Sequence, residues 1–179
     1  MWTWRVLLAA ASIALMGAAE SPQPTCAPKD ATTLKVDEVR TVCICARPRW
    51  NHTGIRLEHG GKYLITARGI WWDADYRHGP GGGDSPNFKF SFFERFRRMK
   101  KANWFELICA LDSQESSRFR VGCKTTVCAP DSQTSTELPV GCRTKLDKLE
   151  KPKELTCYAN DVFYSNNSGA IEMTVKRTE

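Results

Sequence analysis

Several things are scarce in this chain of 179 residues. Histidine occurs three times, as His52, His59 and His78, and none of them falls in a recognisable nucleophile or zinc motif. No two cysteines stand in a C-x2-C pair, which argues against a tetrahedral zinc site. No stretch sustains the 3.6-residue apolar period of an amphipathic helix. The one hint, over residues 145–154, is interrupted by Pro152. That excludes helical bundles and coiled coils. Beyond the first 16 residues no apolar run approaches the roughly 20 residues that cross a bilayer. Charge is not one-sided either, with 26 Lys and Arg against 20 Asp and Glu and a formal charge of +6. A hydrophobic share of 41% with 26% charged residues is ordinary for a globular domain and unlike a disordered tail.

What is abundant is cysteine, with 8 in the chain. Such usage points to an oxidising compartment and to structural disulfides. The N-terminus agrees. Arg5 precedes an apolar run over residues 6–16, and Gly17-Ala18-Ala19 supplies small residues for cleavage. Residues 1–19 therefore read as a signal peptide, and the mature chain is expected to be secreted or periplasmic, without a membrane span. All eight cysteines lie beyond residue 19. Cys43 and Cys45 sit two apart in an extended run, so both face one side of a strand and each is expected to pair elsewhere.

Strand-like segments follow one another along the chain. They cover residues 33–46, 55–57, 62–72, 88–92, 104–111, 154–159 and 170–175, separated by Gly, Asn and Asp turns. The pattern predicts an all-β, jelly-roll-like sandwich. Its organisation reads as a signal peptide over 1–19, a lead-in and first strand over 20–46, and a sandwich over 47–179. A disulfide-stapled insert lies at about residues 112–153 of that sandwich. A long polar loop over residues 73–87 carries Gly79-Pro80-Gly81-Gly82-Gly83-Asp84, and loops of that length usually serve function.

Residues 160–169 place Asp161, Asn166 and Asn167 in one short loop between two strands. Calcium takes about six to eight oxygen ligands from carboxylates, amides and carbonyls, and this loop offers several. A turn that uses asparagine for its tolerance of left-handed backbone explains the same residues. Asp73-Ala74-Asp75 with Asp84 is not an EF-hand loop, because His78 stands where that loop requires glycine. The basic run over residues 95–101 suits an anionic polymer or, more simply, a solvated charged edge; nucleic acid is not expected as a partner. Asn51-His52-Thr53 and Asn166-Asn167-Ser168 are glycosylation sequons.

Asn160-Asp161-Val162 followed by Asn166-Asn167-Ser168-Gly169 and an alternating strand resembles the C-terminal signature of the PA-IL-like bacterial galactose-binding lectins. Weaker matches lie upstream: Thr53-Gly54-Ile55 through Gly60 to Gly69, Arg77-His78-Gly79-Pro80-Gly81-Gly82, and the strand over 104–111. Together they cover residues 47–111 and 154–177. The resemblance implies a jelly-roll sandwich that is not an enzyme and that holds one calcium ion, completed by hydroxyls of a galactose-type sugar. It implies side-chain calcium ligands at Asp161, Asn166 and Asn167, and backbone carbonyl ligands at Phe163 and Asp73. Sugar contacts would come from Asp161, Asn166, Asn167, the Val162 backbone, Ser85 and Pro86. Two departures stand out. The loop between Asp161 and Asn166 is two residues shorter than in the galactose-binding founder, and Ser85 replaces the family's sugar-contacting histidine. Trp71, Trp72 and Tyr76 are placed either to stack on a sugar ring or to fill the core. Other readings are a structural or adhesion sandwich and a glycoside hydrolase built on Asp73, Asp84 and Asp161.

Overall fold

The computed structural model describes Cys26 and residues 30–83, 96–121, 134–137 and 150–179, the segment 134–137 by its backbone. Among these residues there is no α-helix, and no helix is long and apolar enough to cross a membrane. Ten strands among the described residues form two sheets. They are β1 (Thr32–Thr33), β2 (Val39–Cys45), β3 (Asn51–Leu57), β4 (Tyr63–Asp73), β5 (Tyr76–His78), β6 (Leu107–Leu111), β7 (Phe119–Arg120), β8 (Thr134–Glu137), β9 (Lys153–Ala159) and β10 (Asn167–Arg177). The first sheet runs β1-β3-β9-β6-β7, and the second runs β2-β10-β4-β5, with β8 also paired to β4. The stretch before residue 47 thus supplies an edge strand to each sheet, and the 112–153 segment contributes β7 and β8.

Alternation explains the layering. Ile171, Met173 and Val175 of β10 point inward while Glu172 and Thr174 stay outside, and Tyr63, Ile65 and Ala67 of β4 repeat the pattern beside them. Across the gap they meet Ile55, Leu57, Leu107, Leu111 and Leu155 of the first sheet in one core. Strand β6 is buried along its whole length. Its outward residue Ile108 joins Ala102 and Tyr158 in a second cluster, against which Trp50 and Met99 pack. Gly169 sits at φ 80°, and a Cβ there would lie 2.9 Å from the Ile70 carbonyl oxygen, so this pairing of β10 with β4 requires glycine.

The second cluster corrects the view of the basic run as a solvated edge. The side chain of Arg98 is only 10% exposed. Its guanidinium lies 4.4 Å from the Trp50 ring centroid and 3.6 Å from that of Tyr158. A planar, weakly hydrated cation stacks on aromatic faces in a way a lysine ammonium does not. Lys100 and Lys101 do remain exposed. The sequon at Asn51 is likewise buried: its side chain accepts from the Cys45 N–H and donates to the Cys45 and Cys157 carbonyls, which leaves no room for a glycan.

Cys109 and Cys157 face each other across β6 and β9 and form a fully buried disulfide. Cys45 pairs with Cys26, and Cys43 lies free beside them, its Sγ 2.6 Å from that of Cys26. Cys43 and Cys45 do share the outer face of β2, as their spacing implied. The expected strand over 88–92 and the cysteines of the insert lie outside the described residues. Loop closure over the 48-residue separation of Cys109 and Cys157 contributes about 4 kcal/mol. We expect the Cys109→Ala, Cys157→Ala double variant to lose at least roughly that much in urea unfolding, since the cavity left by two buried sulfurs adds to the lost loop closure.

Candidate functional site

The last residue of β4 and the first of β10, Asp73 and Asn167, are register partners in the second sheet. The connection from β9 to β10 crosses the same end of the sandwich. It carries Asp161 two residues past the end of β9, and Asn166 at the close of a single 3-10 turn over Tyr164–Asn166. Sheet register and one short connection therefore bring Asp73, Asp161, Asn166 and Asn167 to one end of the fold.

The interior side of this cluster is closed. Asp161 and Asn167 are each 1% exposed, and Asn160 is fully buried. Asn160 is a clamp: it accepts from the Met99 N–H at 2.9 Å and donates to the carbonyls of Met99 and Asn103. Asp73 receives two donors, Asn166 Nδ2 on Oδ1 at 2.5 Å and the Trp104 indole N–H on Oδ2 at 2.8 Å. Asp161 Oδ1 accepts the Val162 N–H at 2.5 Å. Asn167 Nδ2 donates to the Ala46 carbonyl at 3.3 Å. Two oxygens remain without a donor, Asp161 Oδ2 and Asn167 Oδ1, both buried.

The electrostatics follow from that arrangement. Burial pushes the Asp161 carboxyl up to about 6. Hydrogen bonding from the Asn167 side chain and from the Val162 and Phe163 N–H groups pulls it back, while the neighbouring Asp73 charge pushes it further up. Tyr164 is raised to about 12, first by burial and in part by the Asp161 charge, with Arg98 opposing. His78 on β5 is buried with its ring 5.0 Å from that of Phe105, and burial holds it below the usual imidazole range although the Asp73 charge opposes this. An uncharged histidine brings no cation to the two carboxylates.

The structure thus gathers four of the residues singled out from sequence, Asp73, Asp161, Asn166 and Asn167. Val162 is half-buried and packs on the core, and Phe163 opens the 3-10 turn with its side chain exposed. Ser85 and Pro86 lie outside the described residues. Of the aromatic candidates, Trp71 is fully buried and meets Phe105 edge to face, so it fills the core and cannot stack on a sugar. Trp72 and Tyr76 are partly exposed, and the Arg77 guanidinium stands 5.8 Å from the Trp72 ring. Sequence reading missed Trp104 and Asn160. Only long-range pairing places Trp104 on Asp73, 31 residues away, so no local signal marks it.

Fold and site together define a disulfide-containing β-sandwich with a cluster of carboxylate and amide side chains at one end. No family model matches the chain, and no curated protein matches it. Among solved structures it is similar to one described as the EclA N-terminal domain, a PllA-like lectin, at 15% identity and a TM-score of 0.49, covering 76% of this chain and 94% of that chain.

The buried Asp161 charge predicts a pH signature for the chain kept in chelator. Its folded carboxyl titrates at about 6 against an ordinary 3.8, so the folded state binds the proton more tightly than the unfolded state does. Stability from this group is present below about pH 4 and is lost as pH rises toward 6. Asp161→Asn removes the charge, and we expect it to be more stable than the parent at pH 7 by roughly 2–3 kcal/mol, with the gap closing by pH 4. Urea unfolding of both proteins at the two pH values checks this.

Proposed function

We propose that this chain is an exported, calcium-dependent carbohydrate-binding protein whose site accepts a galactose-type sugar. The observation that carries the proposal is the pair of buried, donor-free oxygens on Asp161 and Asn167 beside a second carboxylate, Asp73. Buried polar atoms without partners are rare in native proteins and ask for an unseen ion or water. A hard, oxygen-only set of carboxylates and amides suits calcium and does not suit a soft, thiolate-preferring metal.

The residues fit such an ion in number as well as kind. Asp161, Asn166 and Asn167 would offer side-chain oxygens, and Phe163 and Asp73 backbone carbonyls, in line with the resemblance noted from sequence. When bound, calcium would draw paired sugar hydroxyls into its coordination shell. The chain's own part is to hold these oxygens close together against their mutual repulsion, with Trp104 and Asn166 fixing Asp73 and the Ala46 carbonyl fixing the Asn167 amide. Stereochemistry of the hydroxyl pair then selects the sugar. Ser85 stands where the resemblance places a sugar-contacting histidine, so the choice among galactose-type sugars is what the array below decides. Export is supported by the leader-like residues 1–19 and by the disulfides.

A glycan array run in calcium and again in chelator tests the proposal. We expect signal on galactose-type glycans in calcium only, abolished in Asp161→Ala. Binding that survives chelator, or a silent array with folded protein and saturating calcium, would refute it, and silence would favour a purely structural module.

A further inference from the structure

The basic segment before β6 has no place in the proposed site, yet one of its side chains reaches the site loop. Arg98 Nη1 donates to the Tyr164 hydroxyl at 3.0 Å and to the Arg49 carbonyl at 2.7 Å, and Nη2 donates to Glu115 at 2.7 Å. The guanidinium carbon lies 4.4 Å from the Trp50 ring centroid and 3.6 Å from that of Tyr158, two rings that themselves meet edge to face. Tyr164 belongs to the turn between Asp161 and Asn166, and its hydroxyl is 3.4 Å from the Ala159 carbonyl at the end of β9. The turn is thus anchored at its centre to a rigid cation packed on the outer face of the first sheet.

Its remaining anchors come from elsewhere. Arg47 Nη2 donates to the Ser165 carbonyl at 3.1 Å, and the Ala74 N–H donates to the Asn166 carbonyl at 3.2 Å. Asn160, just before Asp161, clasps Met99, the residue after Arg98: its side-chain Oδ1 accepts the Met99 N–H and its Nδ2 donates to the Met99 carbonyl. The segment over 96–103 and the loop over 160–166 are therefore tied together at Arg98, Met99 and Asn103.

We infer that Arg98, acting through Tyr164, is a positioning residue that sets the spacing of Asp161 and Asn166 in the cation site. This rests on the proposed calcium reading for its ligand, though the loop geometry is independent of it. The connection between Asp161 and Asn166 is short and has no regular sheet pairing of its own, so a fixed point near its middle limits how far the turn can shift between its two held ends. Lysine cannot take the role, because it has neither the flat fork nor the stacking surface.

Two measurements on the full chain test this. The first is calorimetric titration with calcium chloride. Tyr164→Phe keeps the ring and removes the hydroxyl, and we expect binding about fivefold weaker, with Arg98→Lys at least tenfold weaker. Because both act through one contact, Arg98→Lys made in the Tyr164→Phe background should add much less than it does alone. Ile55→Val, a core change in β3 distant from the loop, should lower stability without moving the affinity. The second is amide hydrogen exchange in chelator, where both loop variants should raise exchange of the amides over 162–166 about tenfold while β3 stays protected. Wild-type affinity in Tyr164→Phe and Arg98→Lys, or fully additive losses, would overturn the inference. If the parent binds no calcium, the calcium reading fails and exchange decides: faster loop exchange in the variants sustains the positioning role, and unchanged exchange removes it.

Discussion

Asp161 is a carboxylate held 1% exposed with no ion pair among the described residues. Burying such a charge unpaired costs several kcal/mol unless something compensates it. The compensation visible in the chain is partial: Oδ1 takes the Val162 N–H, the Asn167 side chain and the Phe163 N–H also favour the charged form, and Oδ2 has no partner at hydrogen-bonding distance. A second carboxylate, Asp73, stands near enough to raise the first. A protein keeps such an arrangement only if a positive charge arrives from outside or if the group carries a proton. Everything proposed about function follows from choosing the first.

The fold makes that constraint tolerable. The sandwich core and the buried Cys109–Cys157 bridge hold β6 against β9, so the end of β9 is a firm platform for Asn160 and Asp161. The β4–β10 register brings Asp73 opposite Asn167 without any loop being involved. The remaining freedom lies in the residues between Asp161 and Asn166, and there Arg47, Ala74 and Arg98 supply contacts. Strain from like charge is thus carried by a rigid frame, which is the usual condition for a preorganised cation site.

Much of this was legible in the sequence, and what was not has a physical reason. A β-rich composition marked β4 and an alternating run marked β10, and the local pattern of Asp161, Asn166 and Asn167 pointed to an oxygen cluster because those residues lie within one loop. Cysteine abundance suggested disulfides, but pairing is a matter of distance in space, so Cys109 with Cys157 and Cys26 with Cys45 needed the sheets. Arg98 read as one more charge in a basic run, since nothing local reveals that Trp50, 48 residues earlier, and Tyr158 will meet edge to face beside it. Asp73 was expected to offer a backbone carbonyl; that its carboxylate also faces the cluster is a consequence of register between strands far apart in sequence.

The central claim is that Asp161 Oδ2 and Asn167 Oδ1 are empty-handed because they await a cation. A crystal structure grown in calcium tests it most directly. The account predicts an ion about 2.3–2.6 Å from both oxygens, with Asn166 turned to offer its own oxygen to the same ion. Clear density showing those two oxygens satisfied by water or by a neighbouring side chain, with no ion at saturating calcium, would contradict it.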